Sequence, residues 1–332
     1  MKITMEDVAK EAGVSRALVS LAYRNAPGVS TQTRQRILSV GEKLGYVHNT
    51  IAAQLATRTK RTVGVFIPDL HNDVFADIHD GIHARIQEGD SRLVLSVGKP
   101  DGSLDEKSLR SLQETQSDVI IALGLTLPDK IVTQYARKCP IVIVERQVAG
   151  LDAVTANSRL GGRMATEHLL SLGCKNIVFL MNPPLDGYYE RLDGYKEAMR
   201  EAALDPVTVQ STYLRSDARQ VTHQLLDSGS KPDAILSHND RSALGVLDAL
   251  IERGLRPGVD IAVMGYDNTE ASAAPGTSLS TVDIRGFELG RIAAGIALER
   301  IARPIEKPQI RVLDPQLVLR QTTSFSGNGP EH

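Results

Sequence analysis

A small all-α headpiece followed by an α/β core of two similar open parallel-sheet subdomains is the fold class this sequence predicts. Three observations carry it. Residues 4–25, TMEDVAKEAGVSRALVSLAYRN, read as two short capped helices around a tight turn. From Thr62 the pattern changes to short Val/Ile/Leu runs alternating with helical stretches, and the same alternation restarts after about residue 158. Continuous apolar strands between helices imply a parallel sheet covered on both faces.

In the head, Thr4 is a good N-cap, and Glu6 and Asp7 meet the helix dipole in the first turn. Val8, Ala9 and Ala12 supply a small apolar stripe, and Gly13 ends the helix where a left-handed residue is needed. Ser15 caps a second helix whose Leu18, Val19 and Ala22 face the first. Pro27 and Gly28 make a turn, Ser30 caps a third helix bearing Ile37, Val40, Gly41 and Leu44, and Gly45 closes it. This is the helix-turn-helix pattern, in which the second helix enters the DNA major groove. On these residues alone a purely structural helical hairpin is the alternative. The charge distribution favours DNA. Residues 1–60 hold nine Lys and Arg against four acids, a net +5, which leaves −7 on residues 61–332. A basic head on an acidic body points to phosphate contact by the head alone.

Residues 49–57, NTIAAQLAT, read as a short helix capped by Asn49, or as plain linker running into Arg58–Arg61. Strands are then expected at 62–68, 92–97, 118–123 and 140–145, with helices around 74–88, 104–115 and 128–138. The second set has helices at 160–172, 188–203, 216–228 and 240–253 and strands at 176–181, 207–211, 233–238 and 261–266. Ligands in such sheets bind beyond the carboxyl ends of the strands, so two facing units place a small-molecule cleft between them. Cys139 and Cys174 lack metal-type spacing and read as buried apolar residues in a reducing compartment. With no apolar run approaching the ~20 residues of a membrane span and no N-terminal signal segment, a cytoplasmic protein is expected.

The motifs DVAKEAGVS (7–15), VSTQTRQRI (29–37), LGYVHNTIAAQLA (44–56), TVGVFIPD (62–69), VER (144–146), RLDGYKEAM (191–199), SHNDRSALG (237–245) and VMGYDNTE (263–270) together resemble the lactose-repressor family of bacterial transcription regulators. The resemblance covers essentially the whole chain. It implies a homodimer binding a palindromic operator, with a periplasmic-binding-protein-like core that senses a small metabolite. The implied domains are a headpiece at 1–48, a hinge and linker at 49–61, an effector-binding and dimerisation core at 62–325 and a polar tail at 326–332. Within the core, one subdomain takes about 62–157 plus 287–314 and the other about 158–286 plus 315–325.

Carried over residue by residue, the resemblance assigns base reading to Arg16, Ala17 and Leu21. Arg16 suits guanine, because its fork matches O6 and N7. Thr4, Ser15, Ser20, Ser30 and Arg34 fall on phosphate-contacting positions. The family usually has Thr at position 18 and Arg at position 21, where this chain has Leu18 and Leu21. Residues 50–56 match the hinge helix, with Asn49, Ala52 and a minor-groove wedge at Leu55; His48 stands where proline is common. Effector-lining positions map onto Asn72, Phe75, Arg146, Arg191, Tyr213, Asn239 and Asp267. Arg191 and Asp267 offer a fork donor and an acceptor, and Phe75 and Tyr213 offer flat faces to a sugar or base ring. Ala156 and Leu185 depart from the family, the latter where purine sensors carry Arg. No cofactor and no metal is expected.

Rival readings stay open at this level. His79 and His83 share a helix face at a zinc-like i, i+4 spacing, but Asp80 replaces the usual Glu and Gly81 weakens the helix. Gly161-Gly162 lacks the spacing of a dinucleotide fingerprint. A solute-binding receptor would share the core but have no helix-turn-helix. A sugar-metabolising enzyme fused to such a head would need a catalytic set, and none is legible. The 324–332 segment, SFSGNGPEH, lacks the leucine heptads of a tetramerising helix.

Overall fold

The computed structural model describes residues 3–24, 26–46, 61–182, 189–303 and 307–324. The hinge positions Asn49, Ala52 and Leu55, together with His48, Leu185 and the tail at 326–332, lie outside the described residues. Two compact units divide the chain, Met1–Lys60 and Arg61–His332.

The head is built from local signals. Helix α1 (Met5–Ala12) begins with a capping box: Thr4 Oγ1 accepts from the Asp7 N–H, and the Asp7 carboxylate accepts from the Thr4 N–H at 2.8 Å. Gly13 closes it in the left-handed conformation at φ 63°. In α2 (Arg16–Tyr23), Ser15 Oγ accepts from the Leu18 N–H at 3.2 Å. Helix α3 (Thr31–Leu44) runs between Ser30 and a left-handed Gly45. Val8, Ala9, Ala12, Val19, Ala22 and Ile37 form the core, while Leu18 packs only partly buried against it. Burying a Val or Ile is worth about 1.5–3 kcal/mol, so Val8, Val19 and Ile37 carry most of this small core.

The second unit opens with β1 (Arg61–Ile67), α4 (Asp73–Gln87), β2 (Ser91–Val97), α5 (Asp105–Glu114), β3 (Val119–Leu123), α6 (Asp129–Ala136), β4 (Ile141–Val144) and β5 (Asp152–Ala156). It continues with α7 (Ser158–Ser171), β6 (Ile177–Met181), α8 (Tyr189–Glu201), β7 (Val207–Gln210), α9 (Arg215–Asp227), β8 (Ala234–Ser237), α10 (Asp240–Glu252), β9 (Ala262–Met264) and α11 (Glu270–Ala273). The last elements are β10 (Thr281–Asp283), α12 (Gly286–Ala302), β11 (Ile310–Leu313) and β12 (Gln316–Val318).

Six strands pair in the order β11-β5-β4-β3-β1-β2, all parallel, and four more in the parallel order β7-β6-β8-β9. A short antiparallel pair, β10 and β12, bridges to the second sheet through Met264–Ser280. The chain crosses between the sheets at 156–158, 283–286 and 313–316. Both faces of the first sheet are covered: Val63, Val65, Ile121 and Val142 pack in one cluster, and Phe66, Ile120, Ala122 and Ile143 in another. That is the burial expected of continuous apolar strands. Helices α4 and α12 meet on glycines, where an added Cβ at Gly81 would sit 1.9 Å from Phe287 O and one at Gly290 2.0 Å from Ile78 O.

Cys139 and Cys174 are free and buried, and burial pushes their thiols up to about 12 and about 11. Among the described residues, no helix is long and apolar enough to cross a membrane.

Candidate ligand cleft and DNA-reading helix

The carboxyl ends of the two parallel sheets supply the walls of one cleft, which encloses about 630 Å³ of space, part of it open solvent. Asp69 follows β1, Asn72 and Phe75 start α4, and Glu145 follows β4. From the other sheet come Arg191 in the first turn of α8, Tyr213 between β7 and α9, His238 and Asn239 after β8, and Asp267 after β9. Except for Glu145, which β5 follows, each sits where a parallel strand ends and a helix begins, the position at which open α/β sheets hold ligands.

Arg191 is the centre of this wall. The residue is 4% exposed, its Nη1 donates to His238 O at 2.8 Å, and its Cζ lies 3.8 Å from the Tyr266 ring centroid. Asp267 Oδ1 stands 3.5 Å from Nη1, and Glu145 Oε2 stands 3.6 Å from Nη2. Burial drives the Asp267 carboxyl well above its ordinary range, against the pull of Arg191 and with Asp240 and Glu145 pushing the same way. Burial also raises Glu145, again opposed by Arg191. His238 is held well below its usual value by burial and by Arg191, which keeps its ring neutral. One fixed cation between two reluctant carboxyls makes a wall of donors and acceptors rather than an anion trap. Glu145 and Asp267 adopt φ of 68° and 116°, left-handed backbone that a non-glycine residue occupies at a cost.

Six of the seven sequence-predicted effector residues meet here: Asn72, Phe75, Arg191, Tyr213, Asn239 and Asp267. Asn239 has a second task, since its Oδ1 accepts from the Ser242 N–H and caps α10. Arg146 is not among the residues that line this cleft. Its guanidinium donates to the Leu125 and Leu127 carbonyls at 2.7 Å and pairs with Asp129. Its predecessor Glu145 lines the cleft, with left-handed backbone at φ 68°. Sequence reasoning also missed Asp69 and His238. Both stood inside quoted motifs, within two residues of the strand ends that signal such positions.

On the head, Arg16 and Ala17 are exposed at the start of α2, and Leu21 and Ser20 are half-buried. The hydroxyls of Thr4, Ser15 and Ser30 are all spent as caps, which leaves them at exposed helix N-termini, where backbone N–H groups favour phosphate. Arg34 is tied down: its Nη2 donates to Ala26 O at 2.7 Å and holds the turn between α2 and α3. His79 and His83 stack on α4 with centroids 5.9 Å apart, and His83 pairs with Gln87.

Comparison with known proteins agrees with this architecture at both ends of the chain. Residues 4–49 match the bacterial regulatory proteins, lacI family, and residues 166–323 match the periplasmic binding protein-like domain. The chain is 29% identical to the ribose operon repressor of Haemophilus influenzae over 325 residues, covering 96% of this chain and 98% of that one. It is 28% identical to catabolite control protein A of Priestia megaterium over 332 residues, covering 97% of this chain and 100% of that one. Its fold superposes on the lac repressor dimer bound to operator and the anti-inducer ONPF with a TM-score of 0.83, at 27% identity over 97% of this chain and 99% of that one. It superposes on the CelR–cellobiose complex with a TM-score of 0.71, at 26% identity over 97% of this chain and 100% of that one. With its helix-turn-helix head, its paired parallel sheets and these whole-length matches, the chain belongs to the lacI family of bacterial regulatory proteins, which are DNA-binding transcription regulators and not enzymes.

Proposed function

We propose that this protein is a cytoplasmic homodimeric repressor that binds a palindromic operator and releases or tightens it as a small hydroxylated metabolite, a sugar or sugar derivative, occupies the cleft. The observation that carries the reading is the Arg191–Asp267 pair, buried at 3.5 Å in a cleft whose wall also bears Phe75 and Tyr213. A polyol ring satisfies such a wall, because each hydroxyl both donates and accepts while the ring lies against an aromatic face. The subdomains we assign are residues about 62–157 plus 287–314 and about 158–286 plus 315–325, and a ligand between them biases their relative closure. Arg16, Ala17 and Leu21 read bases; Thr4, Ser15, Ser20 and Ser30 hold the phosphates.

Calorimetry of the full-length protein with D-ribose, cellobiose and a galactoside tests this. One sugar binds without being turned over, shifts affinity for operator fragments selected from the host genome, and loses its affinity in Asp267→Ala. Chemical turnover of the sugar, or full affinity in Asp267→Ala, overturns it.

A further inference from the structure

Two adjacent glycines near the start of α7 stand behind the arginine of the cleft. Neither has a left-handed φ, so helical backbone does not demand glycine there. Glycine inside a helix is disfavoured against alanine, and two in succession call for a reason of space. The surroundings supply it. A Cβ on Gly162 would sit 2.1 Å from the Arg191 carbonyl oxygen and 3.0 Å from its Cα. A Cβ on Gly161 would sit 2.2 Å from the Tyr266 hydroxyl oxygen and 2.9 Å from its Cζ. Tyr266 is the ring on which the Arg191 guanidinium rests at 3.8 Å. The two glycines therefore touch the two ends of one unit, the arginine's backbone and the ring beneath its head.

We propose that the Gly161–Gly162 pair positions Arg191 for ligand: Gly162 seats its backbone, and Gly161 seats the Tyr266 ring that sets the plane of its guanidinium. This rests on the sugar-cleft reading above and adds the element that tunes it. Tyr266 is 1% exposed and Arg191 4%, so neither can swing into solvent to admit a methyl group. Restoring ordinary contact moves the Arg191 backbone or the Tyr266 ring by on the order of an ångström, whereas binding groups need placement within about half of one. The guanidinium stands 3.5 Å from Asp267 and 3.6 Å from Glu145, and such a shift favours one pair at the expense of the other. The same pair carried no meaning as a phosphate-binding fingerprint, because its partners are a tyrosine ring and a neighbouring helix backbone.

A control separates positioning from plain helix packing. At Gly245 an added Cβ would meet Arg215 O at 2.2 Å, and its next neighbours are Ala218 and Arg219, so crowding is equal there without contact to Arg191 or Tyr266. Full-length Gly161→Ala, Gly162→Ala and Gly245→Ala are compared by thermal unfolding, by calorimetry with D-ribose and cellobiose, and by the NMR signal of the Arg191 Nε–Hε. That signal is identified by its loss in Arg191→Lys and displaced by the ring current of Tyr266. Gly161→Ala and Gly162→Ala are expected to move the Arg191 signal and to weaken sugar binding at least tenfold, while Gly245→Ala lowers the unfolding midpoint alone. Adding Tyr266→Phe, which removes the oxygen the new Cβ meets first, improves Gly161→Ala more than Gly162→Ala. If the three variants behave alike, with the Arg191 signal and affinity unmoved, the proposal is overturned. Should Gly162→Ala not be recovered folded, Gly161→Ala with and without Tyr266→Phe decides the matter. Should the wild type bind neither of these two sugars, the Arg191 signal still judges the positioning role.

Discussion

Arg241 and Asp69 join the two sheets beside the cleft: Arg241 Nη1 on α10 donates to Asp69 Oδ2 after β1 at 2.6 Å. Asp69 is held ready for this by accepting from the His71 N–H at 2.9 Å. The pair is largely buried, with side chains 23% and 10% exposed, so removing one partner leaves the other's charge poorly solvated. On the proposed closure of the two subdomains over a ligand, this bridge acts on ligand escape. Arg241→Ala should raise the sugar's dissociation rate several-fold with little change in association, as read by stopped-flow binding. Equal effects on both rates would place the pair outside the closure.

Removing Arg191 leaves Glu145 and Asp267 buried without their cation. Breaking a buried pair in this way costs about 3–5 kcal/mol, because the remaining charges must be protonated or hydrated. Arg191→Ala should therefore lower the urea midpoint markedly as well as abolish sugar binding. Asp267→Asn should lose affinity yet cost less stability than Arg191→Ala, because it leaves the guanidinium beside Glu145. A stable Arg191→Ala protein would show that the two carboxyls do not depend on it.

Stability should fall between pH about 4 and about 6 through Asp77 on α4. Its carboxyl is pushed up to about 6, first by burial and then by Asp73, Asp80, Asp283 and Glu270. A carboxyl with a raised folded-state pKa stabilises the fold while protonated, at and below the unfolded value of 3.8, and that contribution is lost as pH rises through about 6. Asp77→Asn should thus match the wild type in urea unfolding at pH 4 and exceed it at pH 7. The opposite ordering at pH 7 would exclude a charged, crowded Asp77.

In the head, Arg16→Ala should weaken operator binding by about 1–3 kcal/mol and relax selectivity at one base pair, as measured by fluorescence anisotropy on operator variants. Ser15→Ala removes the α2 cap and should cost about 1 kcal/mol of head stability, read from thermal unfolding of the full chain. A uniform loss across all operator variants in Arg16→Ala would make it a phosphate contact instead.

The sequence alone determined what is local or periodic. Thr4, Ser15 and Ser30 cap three helices, and Gly13 and Gly45 end two of them, because capping depends on neighbours within a few residues. The apolar runs at 62–68 and 118–123 announced parallel strands for the same reason. Helix α12 was not legible: Ile292, Ala293, Ala294, Ile296 and Ala297 leave little polar contrast around it, so no helical stripe stands out. That Glu145 lines the cleft on left-handed backbone was not legible either, because no residue type announces that turn. The meaning of Gly161-Gly162 was likewise invisible. A missing Cβ is a statement about what comes close, and only the fold brings the Arg191 backbone and the Tyr266 ring to within 2.1 and 2.2 Å of where those atoms would be. Sequence thus named the parts of the cleft, and long-range packing set their distances.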